Sequence, residues 1–194
     1  MSFRNLKEGK VIIFSAPSGA GKTTIVRALL DSISELSFSI SACSRDPRGQ
    51  EVNGQDYYFI GVERFKNKIN NNEFVEWEEV YQDHFYGTLN SELTRIWNAN
   101  KTVVFDVDVV GGMSLKKKFG KNALAIFVMP PSLTVLEERL RSRKTDSEEK
   151  IQQRLEKAEQ EISSSSNFDV ILKNGDLDIA IADARSIVNQ FLVL

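Results

Sequence analysis

The chain has 194 residues, of which 41% are hydrophobic and 27% charged. That length and composition predict one globular domain with its own apolar core and mobile lobes. A formal net charge of −2 excludes a general nucleic-acid-binding surface, so any anion site must be built locally from a few Arg, Lys and backbone N–H groups. The one cysteine, Cys43, excludes an internal disulfide framework and points to a reducing compartment. The polar start, MSFRNLKEGK, has no apolar signal core, and no apolar run nears about 20 residues. No membrane association and a cytoplasmic location are therefore expected.

In chain order, VIIF (11–14) predicts a buried strand and 22–34 a helix. Residues 37–87 are rich in aromatic and β-branched residues, with short polar links such as Asn53-Gly54. They predict a small, mostly β lobe with one short helix near 62–70. Beyond it, a helix is expected at 88–99, strands at TVVFDV (102–107), LAIFV (124–128) and FDVIL (168–172), and helices at 132–143, 147–162 and 177–192. Strands alternating with helices predict an α/β fold, a parallel sheet with helices on both faces. The charged run RLRSRKTDSEEK reads as an exposed, mobile lid, and KKK at 116–118 as a solvated helix end. His84, the only histidine, has no partners for a metal site or triad and reads as a surface or turn residue. Cys43 is expected to pack in a lobe strand, and Trp77 and Trp97 to lie in the core.

FSAPSGAGKTT (14–24) sits between the first strand and the first helix, where a phosphate-binding loop belongs. Ala16, Pro17, Ser18, Gly19, Ala20, Gly21, Lys22 and Thr23 match the pattern G-x-x-x-x-G-K-[ST] except at the first position. Pro17 biases Ala16 toward extended angles, where a Cβ is tolerated. Gly19 and Gly21 remain free to aim N–H groups inward. Lys22 reaches the β- and γ-phosphates and Thr23 offers a hydroxyl to Mg²⁺. The alternative is a plain glycine-containing turn. The loop leaves open whether the γ-phosphate goes to water or to a second substrate.

Downstream, Arg45 and Arg48 flank Asp46-Pro47, and Tyr57 follows. Guanidinium forks suit phosphate oxygens, although two solvated arginines beside a core tyrosine is an equal reading. In EFVEWEEVY, alternation places Phe74, Glu76 and Glu78 on one face and Val75, Trp77 and Glu79 on the other. A carboxylate there accepts from guanine N1–H and N2–H₂, whereas adenine offers an acceptor at N1. A solvent-facing acidic strand is the alternative, and the favoured one for Glu78 and Glu79. Tyr86 and Thr88 bring two hydroxyls to a glycine turn. Asp106 and Asp108 leave the C-terminal end of a buried strand, where ligands of parallel sheets bind. They are candidates to orient Mg²⁺ water, an acceptor or lobe arginines, with capping of the next turn as the alternative for one of them.

SAPSGAGKTT, SRDPRGQEVNGQDYYF, NNEFVEW, FYGT, DVDVVGG and RSRKTDSEEKIQQRL together resemble the guanylate kinase family, from about Lys10 to Gln190. The resemblance implies a P-loop kinase fold: a core (1–36, 88–138 and 160–194), a GMP-binding lobe (37–87) and a helical lid (139–159). It implies a GMP site of Ser41, Arg45, Arg48, Tyr57, Glu76, Tyr86, Thr88 and Asp108. It implies an ATP site of Ser15 to Thr24, including Thr24, with Asn174 beside the adenine. Lys22, Arg45, Asp106, Arg143 from the lid and Arg154 from the next helix would serve the transferring phosphoryl group. The implied reaction moves the γ-phosphoryl of MgATP to GMP, with dGMP a further acceptor, as the lobe and lid close. Monomer and homodimer stay open. The other readings are a related kinase with another phosphorylated acceptor, a simple NTPase, and an inactive module that binds a protein. Four features depart from the family pattern: Ala16, an extra residue in YQDHFYGT, Phe85 where Tyr is common and Lys144 where Gly is common.

Overall fold

A computed structural model describes residues 9–142 and 147–193. The chain divides into two compact units, one of Gly9 with Ser37–Val103, the other of Lys10–Leu36 with Val104 onward. The second unit opens with strand β1 (Val11–Ser15) and helix α1 (Lys22–Ser32), followed by β2 (Leu36–Phe38), where the division falls.

The first unit contains β3 (Ala42–Cys43), β4 (Tyr58–Phe59), α2 (Val62–Asn70), β5 (Phe74–Tyr81), β6 (His84–Leu89) and α3 (Asn90–Asn98). Its sheet runs β4-β3-β6-β5, with β3 and β4 parallel and both pairs made by β6 antiparallel. The core is aromatic. Phe65 of α2 lies against Phe74 at a centroid distance of 4.3 Å and Phe85 at 5.4 Å. Ala42 and Leu89 complete it.

The remaining elements are β7 (Thr102–Val107), α4 (Val109–Phe119), β8 (Ala123–Met129), α5 (Leu133–Ser142), α6 (Glu148–Ser163), β9 (Val170–Lys173) and α7 (Leu177–Val193). The larger sheet has the order β2-β7-β1-β8-β9, and β8 pairs in parallel with both β1 and β9. Every residue of β1 is buried, as are Ala123–Val128 of β8. A strand buried on successive residues is covered on both faces, as the α/β expectation requires. Helix α1 packs on α7, and α4 on β1 and β8.

Several expectations need correction. Strict alternation fails in β5: Phe74 and Val75 are both buried, because the register with β6 shifts between Phe74 and Glu76. A bulge of this kind disrupts the ladder locally and with it the strict alternation. Trp77 is 46% exposed rather than core, whereas Trp97 is buried as expected. Helix α3 starts at Asn90 rather than 88, since Thr88 and Leu89 still pair with β5. Strand β9 starts at Val170 rather than 168. Phe168 closes a tight turn on Ser165 and packs its ring on Phe127, and the Asp169 carboxylate takes Ala125 N–H and Lys116. Lys116 is thereby tied down, bonding also to the carbonyls of Gly120 and Ala123, whereas Lys117 and Lys118 are exposed. His84 is exposed, and Cys43 is fully buried in its lobe strand. Among the described residues, no helix is long and apolar enough to cross a membrane.

Candidate active site

The phosphate loop joins β1 to α1. A turn from Ala20 N–H to the Pro17 carbonyl (3.1 Å) folds it back. Gly19 and Gly21 have φ of 96° and 91°, as their loop positions predicted, whereas Ala16 has no positive φ. Gly21 is also sterically required: a Cβ there would lie 2.3 Å from Asn174 Nδ2. Gly21 is the N-cap of α1, which has no side-chain cap and no acidic residue in its first turn. Its leading N–H groups and positive dipole end are left for an anion.

Lys22 Nζ lies 2.6 Å from Asp106 Oδ1 and donates to the Val107 carbonyl at 2.6 Å. Thr23 Oγ1 donates to Asp106 Oδ2 at 2.9 Å. The structure thus brings Lys22, Thr23 and Asp106 together at the end of β7. A hydroxyl and a carboxylate side by side form a hard oxygen donor set that fits Mg²⁺, with phosphates and water completing the shell. Among the described residues, no group of three or more His, Cys, Asp or Glu could hold a metal ion.

Asp108 is the N-cap of α4, and its Oδ1 accepts from Gly111 N–H at 2.8 Å. The capping alternative therefore describes Asp108 in this structure. Ser15 is fully buried, and its hydroxyl donates to the Asp108 carbonyl at 2.9 Å. It braces the loop from beneath. Gly112 leaves the room, since a Cβ there would lie 2.3 Å from Ser15 Oγ. Asn174 is buried and donates from Nδ2 to the Ala20 carbonyl at 2.6 Å. Its backbone N–H donates to the Met129 carbonyl at 2.8 Å. Asn174 therefore buttresses the phosphate loop. Arg154 of α6 donates to Ser18 Oγ at 2.6 Å, so it already reaches the loop. Thr24 is exposed, and Arg143 lies outside the described residues. On α6, burial pushes the Glu161 carboxyl above its ordinary range, with the Asp108 charge adding to it against Lys157 and Lys22.

In the other unit, β3 and β6 gather the arginine and tyrosine candidates. Cys43 pairs with Tyr86, which sets Arg45 two residues beyond. Arg45 Nε donates to Tyr86 Oη at 2.9 Å. The guanidinium carbon lies 5.2 Å from the Tyr57 ring centroid and 5.5 Å from that of Phe59, in cation–π range. Tyr57 and Tyr86 meet edge to face at 5.8 Å, and burial pushes the Tyr57 hydroxyl pKa up. Arg48 is exposed on the following turn. Glu76 pairs directly with Thr88 across β5 and β6. The Thr88 hydroxyl is buried with no partner among the described residues, a group that a bound polar molecule can satisfy. Ser41 precedes β3, and its carbonyl accepts from Tyr58 N–H at 2.9 Å.

Two residues here escaped the sequence reading. Glu51 grips Arg45 with both carboxylate oxygens, at 2.6 and 2.8 Å. Its charge-assisted bonds to Arg45 and the Arg48 N–H lower its carboxyl pKa to about 2. The signal was an acid three residues after one arginine and six after the other, around a Pro and a Gly. Glu92 of α3 is buried and accepts from Ile40 N–H, Tyr58 Oη and Arg95. Burial pushes its carboxyl up, but these donors outweigh burial and leave it below its ordinary range. Only the i, i+3 spacing to Arg95 was visible beforehand.

Known proteins resemble this chain over most of its length. The guanylate kinase family model matches residues 8–191. The chain is 53% identical over 184 residues to the guanylate kinase of Porphyromonas gingivalis, covering 94% of this chain and 98% of that protein. It is 50% identical over 185 residues to that of Bacteroides fragilis, covering 95% and 91%. Among solved structures, the guanylate kinase of Anaplasma phagocytophilum aligns with a TM-score of 0.74 at 26% identity, covering 94% of this chain and 85% of that one. An α/β fold with a complete phosphate loop, a separate lobe of paired arginines and tyrosines, and matches of this extent show that the chain belongs to the guanylate kinase family.

Proposed function

We propose that the chain catalyses ATP + GMP ⇌ ADP + GDP. The observation that carries this reading is the presence of two distinct phosphate-binding sets, the loop with Lys22, Thr23 and Asp106 and the lobe with Arg45, Tyr57 and Tyr86. A simple NTPase needs only the first. An inactive binding module has no use for an intact Lys22 and Thr23. Glu76 opposite Thr88 supplies an acceptor-only carboxylate for a guanine edge, which favours GMP over other phosphorylated acceptors.

In this reading, Ser15 to Thr24 hold the ATP phosphates, with Asn174 bracing the loop. Ser41, Arg45, Arg48, Tyr57, Glu76, Tyr86, Thr88 and Asp108 form the GMP site. Phosphoryl transfer is mostly positioning and charge stabilisation. The acceptor is already an anion, so no protein base is needed. Lys22 at the end of the loop and Arg154, which reaches it from α6, supply positive charge to the transferring group, joined by Arg143. Thr23 and Asp106 would hold Mg²⁺, whose charge would offset that of the ATP phosphates. The substrates are small molecules, dGMP among them, and the location is cytoplasmic.

The test is ADP formation from MgATP with GMP, AMP, CMP and UMP offered separately, beside a blank without acceptor. Turnover with GMP alone is expected. Turnover with a different monophosphate removes the role given to Glu76. ADP release in the blank identifies an NTPase, and silence throughout with ATP still bound favours the binding module.

A further inference from the structure

We propose that Glu51 is a positioning residue for the acceptor phosphate: it clamps Arg45 by one edge so that the opposite edge, with Tyr86, is presented to GMP. The inference rests on the reading of this lobe as the GMP site.

A guanidinium has five N–H donors in a fixed plane. In Arg45, NH1 donates to Glu51 Oε2 (2.6 Å) and to the Asp46 carbonyl (2.9 Å), NH2 to Glu51 Oε1 (2.8 Å), and Nε to Tyr86 Oη (2.9 Å). Those bonds engage four donors. The donor left over among the described contacts is the second N–H of NH2, which by guanidinium geometry lies on the same edge as Nε. Tyr86 accepts from Nε, so its own hydroxyl proton is free to be donated onward. The neighbouring guanidinium charge polarises that phenol and strengthens it as a donor. One N–H and one O–H therefore stand on the same side of the guanidinium, two donors for the oxygens of a phosphate. The rings of Tyr57 and Phe59 fix the plane of the guanidinium.

Glu51 also organises the turn. It accepts from Arg48 N–H at 2.7 Å, and its own N–H donates to the Arg48 carbonyl at 3.1 Å. One carboxylate thus sets the edge of one arginine and the backbone of the other. An opposite role is chemically open to the same contact: a carboxylate on Arg45 competes with the phosphate it resembles. The geometry separates the two, because the clamped edge is not the edge that Tyr86 shares.

The experiment uses the full chain with MgATP and GMP, reading kcat and both KM values for Glu51→Gln, Glu51→Asp, Arg45→Ala and the Glu51→Gln/Arg45→Ala pair. Glu51→Gln is expected to raise the KM for GMP about tenfold, with the KM for ATP and kcat within about threefold. Glu51→Asp keeps the charge and recovers part of the loss; it also carries the test if the Gln variant does not fold. In the Arg45→Ala background, adding Glu51→Gln changes the GMP KM by less than about twofold. A GMP KM that is unchanged or lower in Glu51→Gln overturns the proposal, the lower value identifying a competitor. So does a full effect that persists without Arg45, or equal rises for both substrates. If the unaltered chain does not phosphorylate GMP, or Arg45→Ala leaves its KM unchanged, the functional reading itself fails and this inference falls with it.

Discussion

Gly21→Ala tests how the phosphate loop is held. At φ 91° an L residue is strained, which costs about 1–2 kcal/mol. The new Cβ would also sit 2.3 Å from Asn174 Nδ2. Asn174 is buried and braced by its backbone bond to Met129, so the side chain gives way by abandoning the Ala20 carbonyl. Losing that buried bond costs about 1–3 kcal/mol. The expected destabilisation is therefore about 2–5 kcal/mol, measured by urea unfolding. The loop backbone shifts with it, so the KM for ATP should rise at least about tenfold while that for GMP stays nearly constant. Asn174→Ala isolates the clash. With that side chain gone, Gly21→Ala should cost only the backbone strain, and the double-mutant cycle should show a coupling of about 1–3 kcal/mol. Gly175→Ala, with no positive φ and open space around it, is the neutral control. Additivity within about 0.5 kcal/mol would refute the buttressing role of Asn174.

Other outcomes follow from the lobe. Arg45→Ala should raise the KM for GMP by about 10–100-fold, from the loss of charged hydrogen bonds, and leave the KM for ATP nearly unchanged; steady-state kinetics with each substrate varied decides it. Phe65→Ala removes the ring between Phe74 and Phe85 and should destabilise the lobe by about 3–5 kcal/mol, read as an earlier unfolding transition by tryptophan fluorescence. Glu92 has a folded pKa below its unfolded value, so its contribution is present above about pH 4.3 and is lost as pH falls through the lower folded value. Glu92→Gln should cost about 2 kcal/mol at pH 7, and its unfolding midpoint should fall less than the unaltered chain's between pH 5 and pH 3 in a denaturant series.

Much of this site was legible because its chemistry is local in sequence. The phosphate loop is one continuous stretch, and Gly19 and Gly21 are glycines for reasons visible in the pattern itself. The strands of the larger sheet announced themselves as runs such as VIIF, whose burial on every residue needs no alternation. What stayed hidden depends on pairing between distant residues. The bulge after Phe74 depends on its register with β6, which EFVEWEEVY alone does not carry. Asn174 reads as a loop residue until β9 sets it under Ala20, 154 positions away in sequence. Ser15 looks like a loop hydroxyl, yet β7 and α4 turn it inward to the Asp108 carbonyl. Glu51 stands within SRDPRGQEVNGQDYYF, but an acid beside two arginines reads as a neutralising charge until its bidentate geometry is seen.

A chain of net charge −2 serving two phosphate-bearing ligands must confine its positive charge, and it does so with internal carboxylates. Lys22 rests on Asp106 and Arg45 on Glu51, each at 2.6 Å. Each pair is near neutral as a unit, so neither casts a long-range field, and attraction comes from the donors still unspent. The two cations differ in what a phosphate meets. Lys22 is a point charge on a flexible stem; it points at Asp106 and the Val107 carbonyl and gives up those contacts to swing to a phosphate. Arg45 is planar, clamped by Glu51 on one edge and stacked on two rings, so the donors of its other edge are set before any ligand arrives. The same Asp106 that holds Lys22 also holds Thr23, so one carboxylate organises both the cation and the oxygen donors suited to Mg²⁺. Asp106→Asn would therefore disturb Lys22 and Thr23 together, whereas changing Glu51 disturbs only the two arginines of the acceptor lobe.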